Sequence, residues 1–217
     1  MTFYHFSKTA ADVSPVILFV GILTGLYLYS RLNTMHRNIL LYLVLMLGVD
    51  ITGRILAREG NNLIILPVFS FIEMSFFVYF YNKHLLPRPS KALIGLGIAG
   101  GIYIVSEIFH YFIFNAVDVK RFQPYCKVVD NFVVIIMALV FYYQKMNSFN
   151  ETNWDNFKLN TVLLTLFTFN IIIFLPFNFM VNESSGVKFY FWTGNLILML
   201  LFYIYLTSLI WKNGKLK

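Results

Sequence analysis

The chain has 217 residues, of which 59% are hydrophobic and only 12% charged, with 24 Phe and 14 Tyr. A soluble domain of this length carries about twice that share of charge. This composition excludes an ordinary soluble enzyme, a disordered tail and a disulfide scaffold, and leaves an integral membrane protein. The net charge of +7 is read as Lys and Arg gathered in cytoplasmic loops, not as a nucleic-acid surface.

Residues 1–14 (MTFYHFSKTAADVS) are polar, without a basic stretch leading into a short apolar core. No cleaved signal peptide is expected, and the first apolar run is expected to stay. Seven apolar runs then follow, over 15–32, 37–57, 62–82, 91–114, 122–144, 158–181 and 188–211. Each is long enough for a helix to cross about 30 Å of hydrocarbon. Alternation with the strand period, which a β-barrel needs, is absent. The predicted fold is all-α: one domain, 1–217, a polytopic bundle of seven transmembrane helices.

Turn chemistry marks the breaks: Asn33-Thr34, Gly60-Asn61-Asn62, Pro87-Arg88-Pro89-Ser90 and Asn182 to Gly186. Ten of the 17 Lys and Arg fall on one side of the seven-span topology. That places the N-terminus outside and the C-terminus in the cytoplasm, in a multi-pass protein of the inner (plasma) membrane. Gly21-x-x-x-Gly25 and Gly97-x-x-x-Gly101 are read as close helix packing within the chain, with a homo-oligomer face as the alternative. Pro67 and Pro176 fall within spans, where kinks are expected.

The ionisable residues inside the spans carry the functional reading. Asp50, Glu73, Glu107 and Asp130 all lie in apolar runs. A charge at the bilayer centre costs at least ~2.5 kcal/mol, so each must face protein or water. From the rise per residue, Glu73 is near the middle of its span, while Asp50 and Asp130 lie roughly 4–5 Å outward and Glu107 about 7 Å outward. Arg54, His110, Lys127, Asn131 and Asn195 also fall in outer halves. The expected arrangement is one polar cavity open to the outside and closed below. Asp50 pairs with Arg54 at four-residue spacing, and Lys127 with Asp130 at three. Glu73 and Glu107 have no cation on their own helix. The predicted ligand-binding set is Asp50, Arg54, Glu73, Glu107, His110, Lys127, Asp130 and Asn195, with Tyr103, Tyr125, Tyr190 and Trp192 near enough to line it.

Other motifs are weaker. Glu107-x-x-His110 is half of a di-metal carboxylate motif, and no second copy exists, so no metal or cofactor is expected. Cys126 is the only cysteine and has no evident base beside it. Lys188 stands at the mouth of the last span, and 193–210 contains no Lys for a retinal Schiff base. Neither the receptor triplet after the third span nor the Pro-Gln motif of small sugar transporters is present.

These residues predict a sensor or receptor-like subunit that binds a small cationic or protonatable species and signals through a partner protein. A small-solute or proton-coupled transporter is the alternative. An intramembrane enzyme on a lipid substrate and an accessory subunit are further ones. No residue pattern specifies a reaction, so a binding role is preferred to an enzymatic one.

Overall fold

The computed structural model describes residues 3–59, 62–114, 125–147, 156–176 and 187–215, with the side chains of 3–5 and 188 excepted. Among these the fold is all-α, with seven helices long and apolar enough to cross a membrane. They are α1 (Phe3–Tyr27), α2 (Thr34–Arg58), α3 (Ile65–Phe80), α4 (Lys91–Ile108), α5 (Cys126–Asn147), α6 (Phe157–Phe174) and α7 (Val187–Lys215). Large apolar side chains such as Val16, Ile98, Ile102 and Leu201 are exposed on these helices. In a water-soluble fold so many would be a liability, whereas in a bilayer they are the lipid-facing surface. The protein is a polytopic membrane protein.

The helices form two compact units. In the first, α1 packs on α2 and α7, and α2 also packs on α7. Close approach here depends on glycine. A Cβ on Gly21 would strike Thr207 and Leu43, and one on Gly25 would strike Leu40. The Tyr42 and Phe202 rings meet edge-on at 6.0 Å. Asn33 caps α2, its Oδ1 accepting the His36 N–H at 3.0 Å and lying 2.6 Å from His36 Nδ1. His36 is thereby buried as part of a helix start.

In the second unit α5 is the central helix, touching α3, α4 and α6. Its buried stripe recurs every three or four residues, as one face of a helix requires: Cys126, Lys127, Asp130, Val133, Val134, Met137, Ala138 and Phe141. A single π-helical turn extends α3 (Tyr81–Leu85) and another extends α4 (Phe109–Ile113). Tyr81, four residues beyond buried Phe77 and so on the same helical face, points wholly inward, where its hydroxyl donates to Asn160 Oδ1 at 2.9 Å. Asn160 Nδ2 in turn donates to the Ala138 carbonyl at 3.2 Å. One buried chain of hydrogen bonds thus joins α3, α6 and α5.

Two helix boundaries and the placement of two prolines depart from the sequence reading. The first helix begins at Phe3, not near residue 15, because its polar residues have partners: buried Ser7 lies 2.6 Å from Thr193 of α7, and Asp12 pairs with Arg54. Pro67 sits in the first turn of α3, where a missing N–H costs nothing, and Pro176 lies just beyond the end of α6. Neither kinks a helix interior; among the described residues, the proline beyond the first turn of a helix is Pro15 of α1. The run read as 158–181 is helical over Phe157–Phe174, and residues 177–186 lie outside the described segments.

Candidate functional site: a buried Lys–Glu–Asp triad

Lys127 and Asp130 occupy the first turns of α5, three residues apart and on one face. Glu73 reaches them from the middle of α3. The Lys127 ammonium donates both to Glu73 Oε2 and to Asp130 Oδ2. All three side chains are fully buried. The ammonium also lies 4.4 Å from the centroid of the Phe69 ring and 5.8 Å from that of Phe167 on α6. Aromatic faces attract a cation and, here, shut lipid away from it. Three helices therefore close on one charged cluster.

The charge count of this cluster is uneven. One ammonium faces two carboxyl groups, and the Glu73 and Asp130 carboxyls are within hydrogen-bonding reach of each other. With every group ionised, the formal charge is −1. The second Asp130 oxygen, Oδ1, has no donor among the described residues, and neither atom of the adjacent buried Asn131 amide has a partner there. Buried polar atoms left this way lose the full desolvation cost.

Glu107 belongs to a neighbouring arrangement. Its Oε1 accepts the Tyr103 hydroxyl and the Tyr125 backbone N–H, each at 2.9 Å. Tyr125 immediately precedes α5, so this carboxyl from α4 ends at the positive N-terminus of another helix. Cys126, fully buried, lies between this group and the triad with the Ser70 hydroxyl beside it. His110 is exposed on the π-helical turn, its ring edge-on to Tyr111 at 5.2 Å.

The first unit holds the other predicted residues. Arg54 Nε donates to Asp50 Oδ2 at 2.8 Å and Nη1 to Asp12 Oδ1 at 3.1 Å, while Nη2 donates to the Ala11 carbonyl. These groups are partly exposed, and they tie the start of α1 to the end of α2. Asn195 is half-buried on α7, and Tyr190 and Trp192 are exposed.

Of the eight predicted binding residues, the structure thus brings Glu73, Lys127 and Asp130 into direct contact. Glu107 is held by hydrogen-bond donors, and the Asp50–Arg54 pair forms as its spacing implies. Sequence reasoning missed Tyr81 and Asn160, whose hydrogen bonds run to other helices. Among the described residues, no three His, Cys, Asp or Glu side chains converge as a metal site requires. No family model matches the chain, and neither a curated protein nor a solved structure matches it.

Proposed function

We propose that the protein is a proton-responsive subunit of the inner (plasma) membrane, with the N-terminus outside, and that the Glu73–Lys127–Asp130 triad is its switch. The observation that carries this reading is one ammonium shared by two carboxyl groups at a fully buried position. A net charge inside a membrane helix bundle is costly, and one proton removes it. That proton would be held between the Glu73 and Asp130 carboxyl groups, which are within hydrogen-bonding reach of each other. With the proton bound, the cluster is neutral and the closed packing of α3, α5 and α6 is favoured. Once it leaves, the charge of −1 calls for water and favours an opened packing. A ligand shifts such an equilibrium only by its different affinity for the two states, and here the ligand is the proton.

Among the described residues, the titratable groups beside the switch are Lys127, Asp130 and the neutral thiol of Cys126 on α5, Glu73 on α3, and Glu107 on α4 next to Cys126. Relative to the wider cationic-ligand reading, the protein's own ammonium already occupies the cation position between the acids. A partner protein would read the packing change.

Infrared difference spectroscopy of the protein in liposomes, stepped between about pH 5 and 9, tests the reading. A carbonyl band of a protonated carboxyl is expected to appear and vanish with pH, and to be lost or moved in both Glu73→Gln and Asp130→Asn. Hydrogen exchange at the start of α5 should follow the same transition. A wild-type spectrum without any titrating carboxyl band would remove the switch and leave a purely structural ion cluster.

A further inference from the structure

A second feature of the four-helix unit is independent of the triad. On the exposed side of α3 and α4 runs an apolar groove with a volume of about 870 Å³. Its floor is created by glycine. Gly97 lies against Val78 and Gly101 against Phe71 and Met74, so the two helices approach closely and leave a trough where side chains would stand. Its rim includes Ile98 and Ile102, exposed at 60% and 66%. The α4 wall runs from Ile94 to Val105, which is about 16 Å at the rise of a helix and roughly half the hydrocarbon thickness. The groove therefore has the length of a single leaflet.

Its polarity is concentrated at one end. Lys83 lines the groove there with Tyr79, and the Lys83 ammonium lies 5.3 Å from the centroid of the Tyr79 ring. Arg88 and Lys91 follow, both exposed, and no acid occurs between Glu73 and Glu107. Asn82, also at this end, is occupied by the Val78 carbonyl and the Ser90 N–H. An apolar trough one leaflet long, opening at the helix ends onto cations that have no acidic partner among the described residues, is complementary to one kind of molecule. We propose that this groove is a binding site for an anionic phospholipid, with an acyl chain along Gly97, Ile98 and Ile102 and the headgroup phosphate on the Lys83 ammonium. A second protein copy would meet the same cations on both partners, and a zwitterionic lipid would offer Lys83 no net charge. In the orientation proposed above, the occupied leaflet is the cytoplasmic one.

Native mass spectrometry of the detergent-solubilised full chain tests this with phosphatidylglycerol and phosphatidylcholine of identical acyl chains. Two variants probe the two halves of the site: Lys83→Gln at the headgroup and Ser75→Phe, which fills the trough from an exposed position on α3. Lys158→Gln, a cation outside the groove, is the control, and circular dichroism with a thermal melt verifies that each variant folds. Phosphatidylglycerol adducts on the wild type are expected to exceed phosphatidylcholine adducts at least five-fold. Both groove variants should lose that preference while Lys158→Gln keeps it. Equal retention of the two lipids by the wild type would overturn the proposal, as would an unchanged preference in folded Lys83→Gln. So would a lipid-insensitive dimer cross-linked through Ile98→Cys.

Discussion

Lys127 on α5 and Glu73 on α3 are joined as a buried ion pair, and Asp130 shares the same ammonium. A cluster of this kind holds its helices together only while it is complete. Removing one partner of a buried pair typically costs about 3–5 kcal/mol, because the remaining charge is left uncompensated, whereas replacing the whole set with neutral groups of similar volume is far milder. Lys127→Met is therefore expected to lower stability by about 3 kcal/mol or more. The triple variant Lys127→Met, Glu73→Gln, Asp130→Asn should recover most of that loss. Unfolding in mixed micelles by a denaturing detergent measures both. A single variant as stable as the wild type would show that the ammonium compensates no charge.

The hydrogen bond from Tyr81 to Asn160 makes a smaller, cleaner test. Both side chains are fully buried, and the amide is also bound to the Ala138 carbonyl. Tyr81→Phe removes one donor with little change of shape and leaves Asn160 Oδ1 short of it. The expected loss is about 1 kcal/mol, in the range of interhelical hydrogen bonds within membranes. A double-mutant cycle with Asn160→Leu should return a coupling of similar size. Additive effects would place the tyrosine's contribution in its ring alone.

Much of this architecture was legible from local spacing. Seven apolar runs of membrane length became seven helices, because length and hydropathy decide a span without any knowledge of its neighbours. The Asp50–Arg54 and Lys127–Asp130 pairs were legible for the same reason, since a helix itself brings residues three and four apart together. What crosses between helices was not. Glu73 meets Lys127 across 54 residues of sequence, and nothing in the run around Glu73 specifies which helix it will face. Tyr81 sits at the end of an apolar run, and its partner Asn160 comes from α6, 79 residues away in sequence. The start of α1 was not legible, because Ser7, Lys8 and Asp12 suggest a solvated lead, while the Thr193 and Arg54 side chains that pair with Ser7 and Asp12 come from α7 and α2.

Glycine spacing, by contrast, can be separated into working and idle positions by what a methyl group would strike. At Gly97 it would come within 2.6 Å of Val78, a branched side chain with little freedom to move. At Gly95 nothing lies within 4 Å. Gly97→Val is expected to cost about 1–3 kcal/mol through overpacking. Gly95→Ala should be neutral or stabilising by up to about 1 kcal/mol, since alanine is the better helix former. Thermal melting of the two variants side by side gives the comparison. Equal effects would mean that α3 and α4 do not rely on close contact at this point.

The carboxyl of Glu107 makes the last distinction, between a ligand site and a helix cap. It accepts the Tyr125 N–H at the start of α5 and the Tyr103 hydroxyl from its own helix. A backbone N–H at a helix start has no partner within the helix, and an acceptor placed there is worth about 1 kcal/mol. Glu107→Leu removes the acceptor and is expected to destabilise the unit by about 1–2 kcal/mol. Its effect should be local, with faster amide exchange at Tyr125 and the residues just after it. Glu107→Gln keeps a carbonyl oxygen at the same reach and should restore most of the protection. If Gln and Leu behave alike, it is the carboxyl's charge that matters, and a role beyond capping α5 would have to be sought for this residue.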